Sequence, residues 1–494
     1  MRTTGRPRAV GWWFVGLVCL SFFAGCSSSG PTADLPALYN QSAQDHGIER
    51  NPVILIPGIL GSRLKDADTD TLVWGAFTGE YADPKNPSGA RMIGLPMQEG
   101  APLHTLRDDV RPDGALEEMR VRFLGLPIQL DAYVDILQAL GIGGYREAGG
   151  ALGEIDYGEE HFTCFQFDYD WRRDNVENAQ RLHAFIQEVR AYVQEEYKQR
   201  YGVEDYDVQF DIVAHSMGGL LTRYYLRYGD ADLPADGSTP EVTWAGADYV
   251  ERAILVGTPN AGSSQAVWEL VNGKTTSPIT PTYPAALIGT YPALYQLMPR
   301  DRHGALVDAA DTTQSVERLY DVDFWVEQQW GLADPGQHDM MATLLPEVDN
   351  PATRYRIAVD HLEKSLARAE HFNRALDTLA KRPEGLDLLL MAGDAEPTLS
   401  QLTVDRTTGR LARHREDAGD GTVLRSSALM DERVGGAWSS FLTSPIDWSH
   451  VTFLFAGHVD MTRDPTFTDN LLYYLLMHPR DRSAKAPPTA AGEG

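Results

Sequence analysis

A serine at residue 216 stands where two sequence patterns meet. The stretch FDIVAHSMGGLLTRYY (210–225) passes from an apolar run into residues with helical spacing. In a nucleophile elbow, a sharp strand-to-helix turn lifts a serine Oγ above a sheet. Small residues two before and two after let the strand and helix backbones approach. Ala214, Ser216 and Gly218 fit this form, with alanine one methyl larger than the first glycine of G-x-S-x-G. The chemistry expected is nucleophilic attack, with helix N-terminal amides favouring the oxyanion that forms beside Ser216.

Such a serine needs a base and an orienting acid, in the chain order Ser, acid, His. The stretch VTFLFAGHVDM puts His458 just after an apolar run and before a helical one, where the base belongs. His450 precedes that run, at the wrong end of a strand, and His215 in the elbow is expected to point away from the nucleophile. For the acid, Asp394 ends LDLLLMAGD, and Asp420 lies in the Gly-rich turn of EDAGDGTVLRSS. The residues alone leave these two open, with Asp417 third and read as a solvated loop carboxylate. An oxyanion hole needs two convergent N–H groups. Met217 supplies one; the Gly-bearing turn in PVILIPGILGSRL (52–64) supplies the other.

Six short apolar runs read as buried parallel strands: 52–56, 163–167, 208–214, 252–257, 386–392 and 451–456. A helical face (Leu182, Phe185, Ile186, Val189, Val193) spans about 175–200, and another (Leu220, Leu221, Tyr224, Tyr228) closes at Gly229. Alternating strands and helices give an α/β fold with a mostly parallel sheet. The core is expected over 51–259, interrupted by a Gly-, Pro- and Asp-rich insertion at about 66–130, and over 386–480. Residues 260–385 read as an inserted cap, since a structureless loop that long is improbable. Most aromatics there, Trp268 to Trp330, are expected to form the insert's own core.

A formal charge of −27 over 494 residues argues against nucleic acid as a partner and against electrostatic adhesion to anionic lipid. Residues 1–25 read as a secretory signal: Arg2, Arg6 and Arg8, then AVGWWFVGLVCLSFF, then small residues. The sequence FAGC followed by SSSGPT resembles a bacterial lipoprotein signal, in which Cys26 is acylated and becomes the mature N-terminus. Buried acyl chains contribute about 0.8 kcal/mol per methylene, enough to hold a protein on a membrane without a basic patch. Residues 26–50 then read as a flexible tether, and 481–494 as a disordered tail. Ser27 in place of Asp resembles lipoproteins sorted to an outer membrane, so the expected place is the bacterial cell envelope. With Cys19 removed and Cys26 acylated, Cys164 alone of three cysteines remains, as a buried thiol. No metal-ligand spacing is present, and no metal or cofactor is expected.

Several segments together resemble the lecithin:cholesterol acyltransferase family: NPVILIPGILGSRL, FQFDYDWRRD, AHSMGG, VGTPNAGS, YPALYQLMPR, AGDGTV and GHVDM. They stand in family order from about 51 to 475. The resemblance implies an α/β-hydrolase with a cap, and assigns the acid to Asp420 through its GDGTV element. It also assigns the second oxyanion amide to Ile59 and a supporting role to Trp171 and Arg172. The function implied is serine-dependent acyl transfer from a phospholipid or other glycerolipid ester, to water or to a lipid alcohol. The cap disulfide of eukaryotic members cannot form here, so their sterol or diglyceride preference does not carry over. The alternatives are a broad carboxylesterase on small soluble esters and a catalytically inactive surface lipoprotein.

Overall fold

Six apolar runs become six parallel strands: β1 (Val53–Ile56), β2 (Cys164–Gln166), β3 (Phe210–His215), β4 (Val250–Val256), β5 (Asp387–Gly393) and β6 (His450–Leu454). The computed structural model describes residues 34–45, 47–75, 81–116, 118–123, 126–131, 133–147, 163–275 and 281–478. The stretches read as a secretory signal (1–25) and a C-terminal tail (481–494), and Cys26, lie outside them. The strands order as β2-β1-β3-β4-β5-β6. Side chains alternate across the sheet. Ile54, Ile56, Ile212, Ala214 and Leu255 enter one core; Val53, Leu55, Val213, Ile254 and Val256 enter the other. The first core is covered by the helices Asn175–Tyr201 and Met217–Tyr228, the second by Val134–Ile142 and Pro465–Leu472. Both faces are apolar because both are covered, which is why the strands read as continuous hydrophobic runs. The fold is α/β with a central parallel sheet.

Chain direction along the sheet reverses between β1 and β3, and their carboxyl ends lie side by side, with Ile56 opposite Ala214. Clefts of open α/β sheets form at such a point. The loop after β1 and the elbow after β3 meet there so closely that glycine is required. A Cβ on Gly218 would lie 2.5 Å from Pro57 O and 2.7 Å from Ile56 O.

Three features depart from the expected organisation. The stretch read as a tether contains a helix, Leu35–Ala43, whose Leu35 and Tyr39 pack on Leu472. Tyr39 Oη donates to Asp469 Oδ1 at 2.6 Å, a partner 430 positions away, so local sequence gave no sign of docking. The 66–130 insertion joins a small sheet in which Ser62–Asp66 pairs with Leu72–Trp74 and Val110–Ala115. Between β5 and β6, the hairpin Glu396–Asp405/Arg410–Gly419 leaves the main sheet and pairs with Leu306–Asp308 of the 260–385 insertion.

The insertion has its own interior, with Tyr295, Phe324, Trp325 and Trp330 fully buried. It is also tied to the helix Met217–Tyr228 that follows β3. Arg223 Nη2 donates to Leu376 O at 2.8 Å and Arg227 Nη1 to Thr378 O at 2.6 Å, satisfying carbonyls at the end of the long helix Pro351–Asp377.

Gly218→Ala tests how tight the β1–elbow crossing is. Overpacking against backbone is expected to cost about 1–3 kcal/mol in urea unfolding. A midpoint equal to that of the unsubstituted protein would show that the crossing has slack.

Candidate active site

The strand β3 is followed by a residue in a backbone conformation that L-residues rarely adopt. Ser216 has φ 54° and ψ −125°, a left-handed conformation that costs an L-residue of order 1–3 kcal/mol. Surrounding contacts impose it: Ser216 N–H donates to Val256 O at 2.8 Å, and Ser216 O accepts from Gly219 N–H at 3.0 Å. The result lifts Oγ off the sheet at the start of the helix Met217–Tyr228. Gly219 is required as well, since a Cβ there would lie 1.9 Å from Thr258 Oγ1.

The structure brings Ser216, His458 and Asp420 into one chain of hydrogen bonds. His458 Nε2 lies 3.0 Å from Ser216 Oγ, and its Nδ1 lies 2.8 Å from Asp420 Oδ2. An ionised carboxylate only accepts, so Nδ1 carries the proton and the Nε2 lone pair faces the serine hydroxyl. His458 follows β6, and its own N–H donates to Asp420 O at 2.8 Å. Asp420 follows the hairpin strand Arg410–Gly419, and its Oδ1 accepts from Thr422 N–H at 3.0 Å and Val423 N–H at 2.7 Å. Burial works to raise the Asp420 pKa. Attraction to His458, the hydrogen bond to it and the two amides outweigh burial and hold the carboxyl below the usual range.

The other candidates are engaged elsewhere. Asp394 Oδ2 accepts from Arg425 Nη1 at 3.1 Å, and Asp417 pairs with Arg415 at 2.8 Å on the surface. His450 begins β6, at the amino end of the sheet. His215 does not reach the Ser216 hydroxyl; its ring lies against that of His458, with centroids 4.8 Å apart.

Opposite Oγ sits the loop after β1. A Cβ on Gly58 would fall 2.7 Å from Ser216 Cβ, so only glycine lets the loop this close. Gly61 N–H closes a turn onto Gly58 O at 3.0 Å, with Ile59 and Leu60 at its centre and Leu60 at φ 64°. That is the type II form, in which glycine is usual at the position Leu60 holds. Ile59 lines the space above Ser216. Met217 opens its helix, where N–H groups have no intrahelical acceptor.

Four aromatic side chains grip this loop. Gly58 N–H donates to Tyr133 Oη at 2.7 Å, and Tyr169 Oη donates to Pro57 O at 2.8 Å. Trp74 Nε1 donates to Leu60 O at 2.8 Å, and Trp171 Nε1 to Ser62 O at 3.1 Å. Of these, sequence reading singled out only Trp171 as support. Tyr133 and Tyr169 have partners 75 and 112 positions away, and Trp74 one 14 positions away, pairings that no periodic pattern marks. Arg172 is buried against Asp170, with Nη2 2.8 Å from its Oδ2, and Nη1 donates to Ile93 O at 3.0 Å. It makes no contact with Ser216 and ties the DYDW segment to the residues around Ile93.

A cavity of about 90 Å³ opens at Ser216, lined by Ile59, Leu60, Trp171, Ile288, Tyr291 and Leu294 among others. Lys274 and Glu269, 2.7 Å apart, stand on its polar side. Among the described residues, no group of three His, Cys, Asp or Glu could hold a metal ion. Cys164 is buried, and burial pushes its thiol pKa up, which leaves it unreactive.

The sequence matches the lecithin:cholesterol acyltransferase family over residues 134–320. That span takes in Ser216 and Met217 but ends before Asp420 and His458, and begins after Ile59. No curated protein matches the chain. The fold is similar to that in the Tle4–Tli4 complex, with a TM-score of 0.50 and 16% identity over 87% of this chain and 98% of that one. Lipase 1 from Pelosinus fermentans aligns at TM-score 0.32 and 12% identity, over 87% of this chain and 99% of that one. EstA from Clostridium botulinum aligns at 0.33 and 12%, over 87% and 88%. At those last two scores the likeness carries no argument.

Because the folded-state pKa of Asp420 lies below its unfolded value, its stabilising contribution is present above about pH 4. It is lost as the pH falls through the folded value. Asp420→Asn is therefore expected to lower the unfolding free energy from urea titration at pH 7 by about 1–3 kcal/mol, with the gap closing below pH 4. A gap unchanged down to pH 3 would mean the pair adds nothing through ionisation.

Proposed function

We infer that this α/β-hydrolase, matched to the lecithin:cholesterol acyltransferase family through its elbow and cap, is a lipid-acting enzyme. In our reading it draws an acyl group from a glycerolipid ester onto Ser216 and passes it to water or to an alcohol. The observation that carries this reading is a Ser216–His458–Asp420 hydrogen-bond chain opening on an apolar cavity.

The steps follow from the geometry. His458 Nε2 takes the Ser216 proton as Oγ attacks the ester carbon, and Asp420 steadies the imidazolium that forms. The N–H groups of Met217 and Ile59 hold the oxyanion, each contributing about 2.7–4 kcal/mol of transition-state stabilisation. As the intermediate collapses, His458 gives its proton to the departing alcohol, leaving an acyl-enzyme. An acceptor hydroxyl then attacks that ester, its proton passing to His458, and Ser216 recovers the proton on release. The acyl chain lies against Ile59, Leu60, Ile288 and Leu294. Cys26, acylated at the mature N-terminus, would hold the enzyme on the membrane that supplies its substrate.

A second reading rests on cavity size. At about 90 Å³ the cavity is well below the roughly 300–1,000 Å³ of pockets that enclose drug-sized ligands, which favours short acyl chains or small soluble esters unless side chains move aside.

The deciding assay offers phosphatidylcholine vesicles, a long-chain alcohol and a series of p-nitrophenyl esters, and follows fatty acid and new ester together. Ser216→Ala is expected to abolish both products, by about 10⁴–10⁶-fold. Asp420→Asn is expected to retain about 10⁻⁴ of the rate. Activity confined to two- to four-carbon esters would support the second reading. Ser216→Ala protein with full lipid turnover would sink both.

A further inference from the structure

One buried histidine beside the nucleophile has no part in the mechanism above. His215 is 6% exposed, and both of its ring nitrogens are occupied. Its Nε2 lies 3.2 Å from the carbonyl oxygen of His458, and its Nδ1 lies 3.0 Å from Tyr133 Oη. A carbonyl only accepts, so Nε2 must carry the proton. A neutral imidazole has one N–H, so Nδ1 accepts from the Tyr133 hydroxyl. That hydroxyl in turn accepts from Gly58 N–H at 2.7 Å. The donors therefore run in one direction: Gly58 N–H to Tyr133, Tyr133 O–H to His215, His215 N–H to His458 O. The fit is tight at both ends. A Cβ on Gly61 would fall 2.7 Å from Tyr133 Oη, and the tyrosine and His215 rings meet edge to face at 5.5 Å.

We propose that Tyr133 and His215 are positioning residues, a buried relay that sets the oxyanion loop after β1 and the base loop after β6 in register about Ser216. The proposal rests on the acyl-transfer reading. Gly58 N–H belongs to the peptide just before the one that presents the Ile59 N–H, so holding it anchors the residue from which that second peptide extends. At the other end, the bond to His458 O fixes the backbone that carries the imidazole, independently of the Asp420 contact to Nδ1. The relay keeps its polarity only while His215 is neutral. Burial, then the nearby His458, pushes the His215 pKa down to about 3, so the ring holds one proton through the neutral range. Asp420 and His458 are the titratable groups acting on it besides Tyr133, whose hydroxyl burial keeps protonated.

The two nitrogens can be separated by substitution. His215→Gln can keep a donor near the Nε2 position but loses the acceptor toward Tyr133. His215→Asn can keep an acceptor near Nδ1 but loses the donor toward His458. With a short p-nitrophenyl ester, Tyr133→Phe and both His215 variants are expected to lose about 10- to 100-fold in kcat with KM within about two-fold. That is less than the 10²–10³ of removing an oxyanion donor outright. Affinity for an alkylboronic acid, whose tetrahedral adduct on Ser216 mimics the oxyanion, is expected to fall in step with kcat. Tyr133→Phe combined with His215→Gln is expected to be no worse than His215→Gln alone, as for two members of one chain.

Losses that add in the double variant, or that match only the fraction of unfolded protein in urea titrations, would overturn the relay. So would unchanged boronate affinity. A chain with no Ser216-dependent ester turnover would instead defeat the acyl-transfer reading. In that case Ser216 labelling by a fluorophosphonate still tests the relay: equal labelling rates in Tyr133→Phe and the unsubstituted protein would overturn it, and a matching 10- to 100-fold loss would support it.

Discussion

Everything at this site depends on one close approach, between the loop leaving β1 and the elbow leaving β3. Ser216 holds a backbone conformation it would not choose, and it holds it because three glycines remove the atoms that would collide. Gly58 clears Ser216 Cβ, Gly218 clears Pro57 O and Gly219 clears Thr258. The strain in the elbow is of order 1–3 kcal/mol, small beside the burial of β1, β3 and β4, whose residues are buried along their whole lengths. The sheet can therefore impose the turn. In the mechanism proposed above, the hydroxyl, the helix amide of Met217 and the amide of Ile59 then act together on one ester group, which is the sense in which such a site is preorganised.

That approach would not survive if the β1 loop were free to drift, and the DYDW segment explains why it is not. Tyr169 and Trp171 donate to Pro57 O and Ser62 O, on the two sides of the turn that contains Ile59. The segment is itself anchored by Arg172, enclosed by Asp170, Asp108 and two backbone carbonyls. Buried ion pairs are poor evidence for stability, because desolvation offsets most of their attraction. Their value here is geometric. A guanidinium with five directed donors admits one arrangement of its neighbours, and that arrangement places the two aromatic donors under the loop.

Much of this was legible because it is local. The strand runs lie within two residues of their observed positions at the ends that matter, and the elbow announces itself through Ala214, Gly218 and the helical spacing that follows. His458 could be placed because it directly follows a strand. The acid was a different matter. Asp394 and Asp420 both follow β5, and the residues alone could not separate them. The difference lies in the hairpin 396–419, which carries the chain away from the sheet and back, and in Arg425, which claims Asp394. The docked helix at Leu35–Ala43 and the Tyr133–His215–His458 contacts were invisible for the same reason. Each joins residues far apart in sequence, and neither leaves a periodic pattern.

The path of that hairpin also decides which part of the insertion can move during turnover. Its strand Glu396–Asp405 pairs with Leu306–Asp308, and its return strand ends directly at Asp420. Beyond Asp420, Thr422 O accepts from Ser263 Oγ at 2.9 Å and Ser427 Oγ donates to Gly262 O at 2.6 Å. The acid loop is thus fastened to the insertion on both sides. A cap that swung away as one body would carry Asp420 with it and break the 2.8 Å contact to His458. Under the acyl-transfer reading, substrate access then falls to the side chains lining the cavity or to parts of the insertion not joined to this hairpin. Thr422 and Val423, just beyond Asp420, line the cavity at Ser216, so the segment that carries this carboxylate is also part of the cavity wall.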